Sequence, residues 1–290
     1  ETIETLLERL HGTELAGINL LELHLHRLQV LMSLGRYSQV VDACSRAQVL
    51  LERVLPSWGE FFRTTLHMEG AYCAVYLDPR PETAGRLLES LEPIDLPGTM
   101  RFIARSVRGE LELTRGNVRT AALIQRVSLR YAGNWRSILG SGSQWELYIL
   151  SMCLVTDVEL SPDDAVELDA RAVRARATSL LREILSDPAP RQRDIPTIMA
   201  FAEAVGLSAV AAEDAGSDRR AVGGELVATA LAVGTNQTCR LLSHDYLRSR
   251  TERLDARALT QAEERIRSLD RGGLVAHAAD LAGRLAGEVG

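Results

Sequence analysis

Lysine is absent from this chain: all 33 basic residues are arginine. That excludes Schiff-base chemistry and P-loop phosphate binding by a lysine amine within the chain. Selection for arginine forks could produce such a bias. A GC-rich genome produces it more simply, because arginine codons are GC-rich and lysine codons are not. Cysteine is sparse. Cys44, Cys73, Cys153 and Cys239 are widely spaced, form no C-x-x-C pair and lie in apolar helical contexts, the pattern of free buried thiols in a reducing cytoplasm. Aromatics make up only 4% of the chain. No stretch approaches the ~18 uninterrupted apolar residues that a membrane span requires. Alternating apolar and polar runs are missing throughout, so no strand is expected.

What the chain does contain is alanine, leucine and charge. Hydrophobic residues are 46% and charged residues 25% of 290, enough apolar material for a sizeable core. The net charge of -6 gives no global drive toward phosphate backbones. Arg171, Arg174, Arg176 and Arg182 cluster on one stretch, but Glu167, Asp169 and Glu183 interleave with them. They read as a solvated, salt-bridged helix face, not as a basic patch. Residues 1–12 read as an amphipathic helix, not as a signal peptide. An opening at Glu1 without methionine suits an excised fragment of a larger protein. The expected location is cytoplasmic.

Helical periodicity dominates. A strong helix over 20–34 should stop at Gly35, and a second should run from Tyr37 to about Val54, closed by Pro56. Helices follow at 58–77 and 82–91, joined by the turn Asp78-Pro79-Arg80-Pro81. Those at 99–115 and 118–131 are joined at Gly116-Asn117, and Gly133-Asn134 breaks the chain again. Beyond that, 144–155 reads as one helix. Ser161 caps a second that begins at Pro162 and extends to about Leu185. Further helices are expected at 195–213, 219–233, 236–249, 258–270 and 273–286, separated at Gly216-Ser217-Asp218, Gly234-Thr235-Asn236 and Gly272-Gly273.

The stretch LGRYSQVVDACSRA, Leu34 to Ala47, resembles the tetratricopeptide pattern, with Gly35 at the inter-helix turn, Tyr37 after it and Ala47 as a small residue along the second helix. GELELTRGNVRTA, Gly109 to Ala121, resembles it again: Gly109 at the close-packing position, Gly116 at the turn, Val118 at the aromatic site and Ala121 where helices cross. The middle unit departs with Pro79 at the turn, though Ala84 keeps the small position, and the first departs with Leu28 and Val40. The likeness covers about residues 20–131. It implies an all-α fold, a right-handed superhelix of antiparallel helix pairs, with a repeat region over 1–143 continuing into a less regular helical region over 144–290. Lysine-free degenerate repeats with an alanine-rich tail also resemble the helical-repeat segments of large actinobacterial transcriptional regulators, namely the antibiotic regulatory proteins and the large ATP-binding LuxR-type activators. In those, such repeats imply a sensor or self-association region, with DNA binding in a separate domain.

No residue is assigned a catalytic, cofactor-binding or metal-binding role. His24 and His26 lie two apart, about 200° around a helix, and do not converge on one metal. His11, His67, His244 and His277 are isolated. His244-Asp245-Tyr246 resembles an acid–base cluster, but neighbours on a helix diverge by about 100°, so it reads as a helix surface with Tyr246 turned inward. Gly140-Ser141-Gly142-Ser143 precedes a helix without any complete phosphate-binding fingerprint and reads as a loop capped by Ser143. Trp58, Trp135 and Trp145 mark the starts of units, where they fill junctions between helix pairs or form exposed anchors. The expectation is a protein-interaction module, not an enzyme, binding a protein or peptide, or a second copy of itself, through a concave face. It needs no cofactor and binds neither nucleic acid nor membrane. The alternative is a small-molecule-binding accessory protein, which a deep apolar pocket would favour over a shallow polar groove.

Overall fold

The computed structural model describes residues 82–89, 98–139, 144–186, 195–212, 216–235 and 240–287, with scattered positions between 23 and 43. Regular secondary structure among them is entirely helical. The chain divides into two compact units, Glu1–Gly116 and Asn117–Gly290. The division falls at the Gly116 turn.

In the first unit, Leu28, Leu31, Val40 and Ala43 are buried, while Val30 and Leu34 are exposed. Leu28 and Val40, both larger than the repeat pattern prescribes, are completely enclosed. The Arg36 N–H donates to the Leu31 carbonyl at 2.9 Å and the Leu34 N–H to Val30 at 3.1 Å. A bond reaching back five residues is how a helix closes its last carbonyls before a turn. Gly35 itself lies outside the described residues, as do Tyr37, Ala47, Pro79 and the expected helix over 58–77. Helix α1 (Glu82–Glu89) packs on α2 (Gly98–Thr114). Ala84 is fully buried in α1. Gly85 leaves room for the Arg115 guanidinium, which pairs with Glu112 at 2.9 Å. Gly109 is buried, and Gly116 ends the unit at φ +82°, the left-handed conformation the turn requires.

The second unit begins with α3 (Val118–Leu139) and α4 (Gln144–Asp157). Helix α3 runs through Gly133-Asn134, where the sequence suggests a break. A short α5 (Pro162–Glu167) follows, with the Ser161 hydroxyl accepting from the Asp164 N–H as expected of its cap. The long helix expected from Pro162 to Leu185 is in fact two. Asp169 takes φ 52° and breaks it, and its carboxylate accepts from the Ala172 N–H to start α6 (Ala170–Ser186). Then come α7 (Ile195–Ala211), α8 (Ser217–Val233), a 3₁₀ turn (Arg240–Leu242), α9 (His244–Ile266) and α10 (Arg271–Gly287). Gly272-Gly273 lies inside the first turn of α10. The separator there is Asp270, whose carboxylate accepts from the Gly273 N–H at 2.7 Å.

Helices α7 and α8 form the core of this unit. Every residue of α7 from Ile198 to Val210 is buried, and every residue of α8 from Val222 to Ala230. Such helices lack a polar stripe because protein surrounds them. They cross where Gly206 meets Gly223. A Cβ on Gly206 would sit 2.7 Å from the Gly223 carbonyl oxygen, and one on Gly223 would sit 2.8 Å from that of Gly206. Helix α4 lies on α7, α9 on both, and α10 on α8. Helices α6 and α10 also pack on each other, although α7, α8 and α9 intervene in sequence. In an open stack each repeat touches only its neighbours. Here the outer helices close around a central pair.

Candidate functional site

Helix α9 shapes an open concavity in the second unit. At Asp255 its backbone leaves the helical region (φ -160°, ψ 79°) and becomes extended. The Asp255 carboxylate then accepts from the Ala258 N–H at 2.9 Å and caps the second half. The bend is sharp. Arg248 Nη1 reaches Glu263 Oε1 at 2.6 Å, whereas the same residues on a straight helix would stand roughly 22 Å apart along the axis. Arg248 Nε also donates to Glu252 Oε1 at 2.9 Å. One guanidinium therefore holds both arms of the bend.

An open groove of about 670 Å³ lies in the crook. Ala228, Leu231 and Ala232 of α8 line it, with His244, Asp245 and Arg248 from the first arm of α9. Glu263 and Ile266 come from the second arm, Arg267 and Leu269 from the turn that follows it, and Leu274 from the start of α10. The lining is apolar along α8 and α10 and carries alternating charge along α9.

His244 stands at the first turn of α9, behind the Ser243 cap. Its Nε2 accepts the Thr235 N–H at 3.3 Å, which fixes the proton of the neutral ring on Nδ1. Burial lowers its pKa, opposed by the nearby Asp245 carboxylate. Tyr246 is turned inward as expected. Burial raises its phenol, and the Arg250 guanidinium lies 5.0 Å from the ring centroid while pairing with Glu159. His244 is therefore a groove-wall residue with a backbone partner, rather than part of a plain solvated surface.

Beside the groove, Glu225 joins three helices. It accepts from Arg265 Nε at 2.9 Å and Nη2 at 2.6 Å, and pairs with His277 Nε2 at 2.7 Å. Burial pushes the Glu225 carboxyl up, but Arg265 and His277 outweigh it and hold it below the ordinary value. His277, isolated in sequence, is thus half of a carboxylate–imidazole pair. Because Arg265 occupies the other carboxylate oxygen, the pair acts as a clamp between α8, α9 and α10.

Other charged groups also tie helices together. Arg126 of α3 donates to both Asp157 oxygens at 2.8 and 2.7 Å and to the Leu168 carbonyl at 3.1 Å. Nearby Cys153 is fully buried and its thiol is pushed up to about 12 by that burial. It is a packing residue, unable to supply a thiolate at neutral pH. Cys44, Cys73 and Cys239 lie outside the described residues. In the arginine cluster of α6, Arg176 pairs with Glu146 of α4 at 2.8 Å and Arg174 donates to Ser208 of α7 at 3.1 Å. Arg171 and Arg182 are exposed. Half of that cluster thus links helices.

His24 is buried and His26 exposed, so the two imidazoles diverge as their spacing requires. Gly140–Ser143, Trp58, His11 and His67 lie outside the described residues, as do the side chains of Trp135 and Trp145. Among the described residues no cluster of His, Cys, Asp or Glu is placed to hold a metal ion, and no helix is long and apolar enough to cross a membrane. Sequence reasoning missed the groove, the Glu225 clamp and Glu203, an acid enclosed completely in α7. A lone charge in the run IMAFAEAVGL was the available signal for Glu203. No protein-family model matches the chain, and neither a curated protein nor a solved structure resembles it significantly.

Proposed function

We propose that this chain is a protein-interaction module whose second unit receives a peptide segment of a partner in the α9 groove. The observation that carries this reading is the groove's make-up. An apolar floor from Leu231, Ile266 and Leu274, with Leu269 at its exposed edge, is bordered by Asp245, Arg248, Glu263 and Arg267. Such a surface suits an apolar anchor residue flanked by charges, since a buried anchor supplies affinity and rim charges set register. The narrower reading is the one the sequence resemblance implies. The helix pairs before Gly116 form a right-handed tetratricopeptide-like superhelix of antiparallel pairs, and the chain serves as a sensor or self-association region of a bacterial transcriptional regulator in the cytoplasm. The lysine-free composition and the left-handed turn at Gly116 support it.

Selection from a displayed peptide library against the whole chain tests the interaction reading. The expected ligands share an apolar residue with charged neighbours. Leu269→Asp, at the exposed edge of the groove, weakens their binding by about tenfold or more. Leu254→Asp, exposed on α9 outside the groove lining, leaves it unchanged. Equal loss in both variants, or no saturable ligand at all, overturns the reading. A second reading, a small-molecule-binding accessory protein, draws on one observation of its own: the groove volume falls within the roughly 300–1,000 Å³ of ligand sites. Thermal stabilisation by a small molecule, lost in Leu269→Asp, would favour it.

A further inference from the structure

The charges that line the groove fall into two classes, those already held by a neighbour and those left over. Arg248 is held twice, by Glu252 at 2.9 Å and by Glu263 at 2.6 Å. Within the lining, Arg248 and Glu263 therefore neutralise each other. His244 spends its Nε2 on the Thr235 N–H. Burial lowers its pKa from the ordinary 6.5, so the ring carries no charge at neutral pH. Asp245 and Arg267 remain. Both line the groove and both are exposed. Neither has a hydrogen-bond or ion-pair partner among the described residues.

The bend decides where these two stand. Asp245 precedes Arg248 by three residues, and Arg267 follows Glu263 by four. Each is thus one helical turn from its neighbour, on the same face. Arg248 meets Glu263 across the crook. Asp245 and Arg267 therefore lie on opposite lips, one turn further from Asp255. The arms diverge from the bend, so these lips flank the open end of the groove. An acid in the first turn of a helix and a base at its end also suit the helix dipole, and Asp245 and Arg267 occupy those places in α9. The dipole accounts for their signs. It does not account for both being unpaired on one groove, when Glu252, Glu263 and Arg265 of the same helix are all engaged.

We infer that the groove takes a partner segment of ordered charge: an apolar anchor residue, a carboxylate on the side that meets Arg267, and a cationic side chain on the side that meets Asp245. This deepens the peptide-binding reading and rests on it. The apolar floor supplies attraction without direction, because burial of apolar surface is non-directional. Opposite charges on opposite lips supply the direction. A segment laid the wrong way round sets like charges together at both lips, and such juxtaposition is strongly disfavoured. A segment of one sign loses at one lip what it gains at the other. The guanidinium of Arg267 also presents a planar fork that matches a carboxylate.

Exchange of charges between ligand and chain tests the inference, with peptides selected from a displayed library on the full chain. The selected peptides are expected to carry an acid on one side of the anchor and a base on the other. Replacing the peptide's acid by arginine weakens binding by about fivefold, and Arg267→Glu restores it. Replacing the peptide's base by glutamate has a similar effect, and Asp245→Arg restores that. Raising the salt shrinks both effects, because both lips are exposed. A role confined to the helix dipole would shift the urea unfolding of these variants and leave ligand preference unmoved. Peptides without charge order, or exchange without restoration, overturn the inference; if Leu269→Asp still weakens their binding, the groove reading survives. The absence of any saturable peptide overturns both. Self-association lost in Leu269→Asp, with no peptide bound, would assign the groove to a second copy of the chain and likewise overturn both.

Discussion

Two kinds of glycine carry the fold at residue scale, and they fail differently when replaced. At Gly206 and Gly223 the constraint is space, because an added Cβ would meet the opposing backbone at 2.7 or 2.8 Å. Backbone cannot swing aside as a side-chain tip can, so the α7–α8 crossing must open. At Gly116 the constraint is conformation: φ is +82° and no heavy atom lies within 4 Å of an added Cβ. Gly116→Val is expected to cost about 1–2 kcal/mol, with much of it recovered in Gly116→Asn, because Asn tolerates the left-handed region. Gly206→Ala is expected to cost about 1–3 kcal/mol or more, with no recovery in any larger residue. Urea denaturation of the three variants checks both statements. Native stability in Gly116→Val would sink the turn assignment, and native stability in Gly206→Ala would sink the crossing. Gly116 was legible because a turn glycine sits at a recognisable place between two periodic runs. Gly206 and Gly223 were not, since which helices will touch cannot be read from either helix alone.

At the scale of elements, start and stop signals were legible where they are local. Ser161 before Pro162, the breaks near Gly216 and Gly234, and the extents of α2, α7 and α8 emerge within a few residues of expectation. The misplaced boundaries turn on aspartates. Asp169 ends one helical run and caps the next, Asp270 caps α10, and Asp255 bends a helix that the pattern divides into separate runs at 236–249 and 258–270. An aspartate in a helical pattern looks like surface charge until its carboxylate is seen capping a backbone N–H. The short α5 gives a test. Exposed Arg119 of α3 pairs with both Asp164 and Glu167, the latter at 2.6 Å. Hydrogen bonds from Ser161 and then Arg119 hold the Asp164 carboxyl below its ordinary 3.8, and Arg119 holds Glu167 below 4.5. Their contribution is therefore present above those values and lost as pH falls through the depressed ones. Carboxyl NMR titration of the native chain should show both groups titrating low. In Arg119→Ala, Glu167 should return to its ordinary range and Asp164 should rise partway, since Ser161 still donates to it. No change on removing Arg119 would disprove the clamp.

At the scale of the whole molecule, helical class was legible because every periodic run has the helical spacing, and no strand occurs among the described residues. The groove was not legible, because its walls come from α8, two arms of α9 and the start of α10. It exists only through a bend that folds Arg248 onto a residue fifteen positions away. What the molecule does with its arginines is the remaining consequence of that geometry. A chain with net charge -6 binds duplex DNA only by gathering unpaired cations on one face. Instead, Arg115, Arg119, Arg126, Arg176, Arg248, Arg250 and Arg265 each face a carboxylate. Recruiting them to phosphates would break these ion pairs, several of which join helices. The expected outcome is no saturable shift of a duplex at physiological salt with the chain at about 10 µM, the range in which ordinary non-specific binders already associate. Lowering the salt should reveal at most a weak association without sequence preference, because screening is what counter-ions supply to exposed arginines such as Arg171 and Arg182. Saturable micromolar binding at physiological salt would mean that these arginines leave their carboxylates, and would overturn an interaction role confined to protein partners.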